Sequence, residues 1–264
     1  MENLFTFESN GKFRSKIMKK YIGLILFLGI FANNYAQDEQ RVRFGFTASP
    51  IFSWLQPDGQ YLENEGTRLG LQYGIIADFT IDENNKYAFS SGIMVDNIGG
   101  SVRDNHFHDG DTLITEFGDV KTTYKLQYLN IPLTLKLKTN EIGYLTYFGQ
   151  FGLDLGFNIK ARRDVEGNFG RASINEENID IISDIVPVRA ALRVQAGGEY
   201  NISGSTSLMV GLAWNNGLTN VLDFNQLEED IDGRPVFTDN GVLTQGPKLK
   251  AVSNYFSLNL ALFF

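Results

Sequence analysis

The sequence predicts an all-β protein, an eight-stranded antiparallel transmembrane up-and-down β-barrel with short periplasmic turns and long extracellular loops. Three observations carry this expectation. About eight segments alternate apolar and polar residues with period two, and each is long enough to cross a bilayer at a tilt. The connections between them alternate short and long along the chain. Beyond an export signal, no apolar segment reaches the length of a membrane-spanning helix.

The export signal comes first. MKKYIGLILFLGIFANNYAQ starts at Met18 with Lys19 and Lys20, continues through an apolar core from Tyr21 to Phe31, and ends on a polar stretch at Ala36. This is the layout of a secretory signal peptide cut after Ala36. The core is too short to cross about 30 Å of hydrocarbon as a helix. Residues 1–36 are therefore read as an upstream segment plus signal peptide, with Met18 as the expected initiator. Residues 37–264 are read as the outer-membrane β-barrel domain.

Charge and composition narrow the function classes. The formal net charge is −8, and residues 1–36 carry +3 of it, which leaves the exported part near −11. An acidic chain lacks the basic face that nucleic-acid phosphates require. Cysteine is absent, which rules out disulfides and thiolate zinc sites. Phe (21), Tyr (11) and Gly (27) against only 6 Pro suit long, closely paired strands.

The strands follow in order. The first sets Val42, Phe44, Phe46, Ala48, Phe52 and Trp54 against Arg43, Gly45, Thr47, Ser49 and Ser53. The second sets Leu69, Leu71, Tyr73, Ile75, Ala77, Phe79 and Ile81 against Gly70, Gln72, Gly74, Asp78 and Thr80. Tyr87, Phe89, Ile93 and Val95 mark a third, less regular run. The fourth opposes Leu129, Ile131, Leu133, Leu135 and Leu137 to Asn130, Thr134, Lys136 and Lys138. The fifth opposes Leu145, Tyr147, Phe151, Leu153, Leu155, Phe157 and Ile159 to Gln150, Asp154, Asn158 and Lys160. The sixth opposes Val188, Leu192, Val194 and Tyr200 to Arg189, Arg193, Gln195, Glu199 and Asn201. The seventh opposes Leu208, Val210, Leu212 and Trp214 to Gly211, Ala213 and Asn215. The last, YFSLNLALFF, puts Phe256, Leu258, Leu260, Leu262 and Phe264 on one apolar face.

The connections favour a barrel over a soluble sandwich. DENNK, TNEIG and SGS are short; the segments 56–66, 104–120, 164–187 and 219–248 are long. Sorting by parity is expected when every short turn faces the periplasm and every long loop faces outside. The apolar strand faces then meet lipid, with Phe52, Trp54, Tyr87, Tyr147, Trp214 and Phe264 at the interfaces. The opposite faces carry Arg43, Asp78, Asp96, Lys136, Asp154, Lys160, Arg189, Arg193 and Glu199 into the lumen. Charges of both signs in so narrow a barrel are expected to pair and fill it. Pro132 lacks a ladder donor, and a bulge is expected there.

The fourth strand, YLNIPLTLKL, and the fifth, YFGQFGLDLGF, resemble two strands of the small outer-membrane β-barrel proteins of Bacteroidetes, the PorT-like family. The fourth is similar to that family's Tyr-Leu-x-Ile-Pro-Leu signature and the fifth to its glycine-rich partner. The similarity covers residues 37–264, and its motifs are barrel motifs of modest specificity. It implies an integral protein of a Gram-negative outer membrane, non-enzymatic and without cofactor. A scaffold or interaction role follows, in the family's named member as an accessory of type IX secretion. The closing strand, with Leu260, Leu262 and Phe264, resembles the signal read by the barrel assembly machinery. Expected partners are outer-membrane lipid, that machinery during biogenesis, and a protein at the extracellular loops or periplasmic turns.

Two loop clusters are weak metal candidates. NHFHDGD holds both histidines of the chain, and His106 and His108 could join Asp109 or Asp111 around an ion. A solvated loop tip is the favoured reading, because no third ligand has a fixed spacing. EEDIDGRPVFTD is a degenerate calcium loop with Glu228, Asp230, Asp232 and Asp239 at ligand positions. Its terminal Asp is short, Pro235 is foreign to the pattern and flanking helices are missing, so an acidic loop is favoured. Two other functions compete with the scaffold. One is small-solute or metal-related transport. The other is an outer-membrane enzyme with loop-borne groups such as Ser101, Asp104 and the two histidines.

Overall fold

The computed structural model describes residues 41–58, 62–107, 118–169, 172–222, 225–227, 245–248 and 250–264. The expected signal peptide, its Met18 start and the cut after Ala36 lie outside them. The strands belong to one compact unit, Val42–Phe264.

Eight strands close into a ring: β1 (Val42–Pro57), β2 (Leu62–Thr80), β3 (Tyr87–Phe107), β4 (Gly118–Lys138), β5 (Leu145–Phe169), β7 (Val188–Ser203), β8 (Thr206–Gly217) and β11 (Ala251–Phe263). Each pairs antiparallel with its ring neighbours, and β1 closes on β11 through a register that runs from Gly45↔Phe263 to Pro57↔Ala251. The Phe264 amide donates to the Phe44 carbonyl at 2.9 Å, so the ladder continues to the last residue. Closure leaves the eight ring strands without a free edge across the lipid, and a lipid-spanning sheet has no other way to satisfy its backbone groups. Between β5 and β7 lie β6 (Ala172–Asp180), which pairs with the far end of β5, and a short 3-10 helix (Ile182–Asp184). A small hairpin of β9 (Asn225–Leu227) and β10 (Gln245–Lys248) precedes β11.

The short turns cluster at the end that holds Val42 and Phe264, the periplasmic end. Gly204, with φ +55°, makes the two-residue turn of the β7–β8 hairpin, a conformation that glycine adopts without strain. At the other end the sequence expectation changes. Segment 56–66 is mostly strand, because β1 runs to Pro57 and β2 starts at Leu62. Segments 104–120 and 164–187 are likewise shortened by β3, β4, β5 and β6. Beyond the lipid the outer face meets water and turns polar while Tyr124, Leu126 and Ala161 stay buried inside, so the apolar-out alternation fades although the backbone ladder persists, as at Asp119↔Asn168.

Pro132 makes no bulge. It pairs with Asp154, and the β3–β4 register is unbroken on either side of it, at Ser90↔Thr134 and Met94↔Asn130. The ring costs the ladder a donor without inserting a residue. The bulge falls in β5 instead, where Gln127↔Lys160 is followed by Tyr128↔Asn158. It reverses the strand's facing above that point.

Candidate functional site

The lumen side chains form two polar tiers below an apolar cap. Strict alternation builds the tiers: Ser49, Ser53, Asp154, Asn215, Ser253 and Ser257 are nearly or wholly inaccessible, while Phe46, Phe52, Ile75, Leu212 and Phe256 are more than half exposed on the other face. In this protein the exposed face is the lipid face.

The periplasmic tier joins four strands. Arg43 stands opposite Asp78 in the β1–β2 register. Its guanidinium lies 2.9 Å from Glu199 Oε2 and 3.8 Å from Asp78 Oδ2. Lys136 Nζ lies 2.8 Å from Asp78 Oδ2 and also pairs with Glu199. Lys138 adds a third cation, 3.6 Å from Glu199 and 4.0 Å from Asp78. Two inward aromatics take part of the surplus positive charge. Phe263 lies under Arg43 (4.6 Å) and Lys136 (4.9 Å), and Phe148 lies 4.7 Å from Lys136.

The middle tier is centred on Asp154, which has no exposed surface. Its Oδ2 accepts from Arg193 Nη1 (3.2 Å), Asn215 Nδ2 (2.5 Å), Asn130 Nδ2 (3.2 Å) and the Tyr255 hydroxyl (3.5 Å). Tyr255 also reaches Asp96 at 3.1 Å, and Asp96 accepts from Gln72 at 2.6 Å. Arg189 donates to Asn215 Oδ1 and to the Ser253 carbonyl, both at 3.0 Å, with its guanidinium 5.4 Å over the Tyr255 ring. Above this tier Ile51, Leu55, Ile98, Leu126, Ile185 and Leu222 form one buried cluster. Ile185 and Leu222 bring in two connecting segments, bridged to each other across the mouth.

Eight of the nine predicted lumen charges are where the alternation put them. Lys160 is not. The β5 bulge turns Ala161 inward, where it is 1% exposed, and leaves Lys160 on the outer surface. Sequence reasoning also passed over Lys138, Gln72, Asn130, Asn215, Tyr255, Phe148 and Phe263. Lys138, Gln72 and Asn130 share a strand face with predicted lumen charges, and that was the available signal; Asn215 and Tyr255 lie on β8 and β11, opposite the apolar faces of strands that carry no predicted charge. Phe148 and Phe263 fall on the inward side of the alternation and serve as cation platforms, a role that no sequence pattern marks.

The loop candidates are less accessible. Asp104 and His106 lie on β3 by their backbone, and their side chains are outside the described residues, as are His108, Asp109, Asp111, Glu228, Asp230, Asp232 and Asp239. Ser101 exchanges a hydrogen bond with Thr123 Oγ1 at 2.9 Å. Among the described residues no group of three His, Asp or Glu could hold a metal ion. Leu260 and Leu262 are about 40% exposed and Phe264 49%, on the lipid face; Phe264 packs against Phe46 with ring centroids 5.7 Å apart.

Several solved structures share a similar chain path at low sequence identity. Neisserial surface protein A is 10% identical, with 84% of this chain and 97% of that one covered at a TM-score of 0.35. OprG from Pseudomonas aeruginosa is 10% identical over 84% and 94%, at 0.36. Ail of Yersinia pestis is 11% identical over 85% and 100%, at 0.31. A search of the curated proteins finds no match. The family model for the outer membrane protein beta-barrel domain covers residues 31–223, most of the ring. The chain belongs to that outer-membrane β-barrel family, and its place is the outer membrane of a Gram-negative bacterium.

Proposed function

We propose that this protein is a non-enzymatic scaffold, a plugged barrel that displays an interaction surface for a protein partner. One observation carries the reading: the lumen is filled by paired charges and capped by apolar side chains, with Asp154, Asn215, Ile51 and Leu55 all inaccessible. Fixed pairs of this kind give a rigid barrel and leave no water-lined path for a solute. The surface offered outward is the tall wall of β3 to β6. Its ladder continues about ten residues past the last lipid-facing row, to Asp119↔Asn168, roughly 33 Å along the strand. The likeness of Tyr128–Leu137 to the PorT-like signature supports an accessory role in protein secretion for that surface.

Planar-bilayer recording of the purified barrel tests the proposal. A scaffold leaves the membrane electrically silent. Steady ohmic steps would move the assignment to small-solute transport.

A further inference from the structure

The row at which β5 changes facing also marks the edge of the lipid surface. Tyr73, Val95, Leu129 and Phe157 form one continuous outward row across β2, β3, β4 and β5, and on β3, β4 and β5 it is the last apolar row, while β2 continues with exposed Leu71 and Leu69. The next row outward reads Asn97, Gln127 and Lys160. The one after that reads Gly99, Lys125 and Arg162, with Asp180 of β6 following. Two residues of strand advance about 6.6 Å, or about 5 Å in height at the usual barrel tilt. Along β4 and β5 the two polar rows therefore stand about 5 and 10 Å above Leu129 and Phe157, at the level of the outer leaflet's headgroups.

These rows line a cleft of about 170 Å³, bounded by Arg68, Asn97, Lys125, Gln127, Lys160 and Arg162. Lys125 stands directly opposite Arg162, a like-charge pair of which, among the described residues, only Lys125 has an anionic partner, Asp164. Gly99 leaves the space over which Arg68 lies: a Cβ there would be 3.3 Å from Arg68 Cδ. The acidic groups nearby are already engaged. Asp164 pairs with Lys125 and accepts from the Asn178 amide, and the Asp180 carboxylate accepts from the Ile182 amide. Arg68 spends one donor on the Ile98 carbonyl. Lys160 and Arg162 form no ion pair among the described residues.

We infer that this cleft binds a lipid-borne phosphate, the headgroup phosphate of a glycolipid in the outer leaflet. The charge is complementary, and at about 30 Å³ per water the cleft has room for a phosphate and its hydration. The height matches a group anchored by acyl chains lying along Leu129 and Phe157. Against the four cations Arg68, Lys125, Lys160 and Arg162 stand the carboxylates of Asp164 and Asp180, a surplus of two positive charges on a net-acidic chain that a phosphate would offset.

The test uses the assembled barrel in phosphatidylethanolamine vesicles containing diphosphorylated lipid A or its dephosphorylated form. Lipid retained through detergent extraction is quantified by mass spectrometry. The wild-type barrel should retain the phosphorylated form at least about tenfold better, and Lys160→Gln with Arg162→Gln should lose about 10–30-fold of that retention. Lys86→Gln, on a periplasmic turn, should retain it like wild type. Free inorganic phosphate at millimolar concentration should compete poorly, because it lacks the anchoring chains. Equal retention of the two lipid forms by the wild type would overturn the inference, even if the double variant failed to assemble. So would a folded double variant with unchanged retention, or displacement of the lipid by free phosphate alone.

Discussion

Replacing Arg193 by Leu is the most direct probe of how the barrel holds together. Arg193 is 4% exposed, and its guanidinium gives one bond to Asp154 and one to Gln195 Oε1. Leucine removes both. Asp154 keeps Asn215, Asn130 and Tyr255 as neutral donors but loses its cation. A charge-assisted hydrogen bond contributes about 1.5–3 kcal/mol, and a buried acceptor left unsatisfied costs about 1–3 kcal/mol. The sum agrees with the roughly 3–5 kcal/mol measured when a buried pair is broken from one side. The neighbour in sequence, Leu192, faces lipid with 36% exposure. Its replacement by Ala orphans no polar group and should cost about 1 kcal/mol or less. The assay is urea unfolding of the barrel in lipid vesicles, followed by heat-modifiable migration on gels. Arg193→Leu should lower the midpoint by at least about 1 M, and Leu192→Ala by a small fraction of that. Adding Asp154→Asn to Arg193→Leu should recover part of the loss, since the orphaned charge disappears with it. Equal midpoints for the two single variants would refute the assignment of the faces.

Three further outcomes are expected. Arg43→Met should cost less than half as much as Arg193→Leu in the same unfolding assay, because Lys136 and Lys138 still serve Asp78 and Glu199. On β11, Leu260→Arg should destabilise by about 2–4 kcal/mol near the midplane, and deletion of Phe264 should lower the yield of heat-modifiable barrel; normal assembly of both would count against a lipid-facing closing strand. On the outer wall, burial works against ionisation of Asp164, but the Lys125 ammonium and the Asn178 amide outweigh it and hold the carboxyl below its usual 3.8. A depressed carboxyl stabilises fully above the ordinary value and loses that contribution as pH falls through the folded one. Hydrogen exchange at the Asn178 amide, corrected for its intrinsic rate, should therefore be unchanged above about pH 5 and accelerate below about pH 4.

The alternation of β1, β7 and β11 already dictated which residues meet lipid, because a closed barrel in a bilayer offers each strand one apolar and one enclosed surroundings. Arg189, Arg193, Glu199 and Phe264 were legible for that reason. Parity of the loops likewise announced the ring and its orientation. Other features depend on neighbours distant in sequence. Lys160 moved outward because one extra residue in β5 against Gln127 reverses every side chain beyond it, and no local pattern marks where a ladder slips. The partners of Asp154 come from β4, β7, β8 and β11: Asn130 and Arg193 lie on the strands that flank β5, while Asn215 and Tyr255 reach it across the lumen only because the sheet curls into a ring. Phe148 and Phe263 lie on the inward faces, and only the fold places Arg43 and Lys136 over them. Periodicity reports the surroundings of a single strand. Which group meets which is decided by register and closure, and those are properties of pairs of strands.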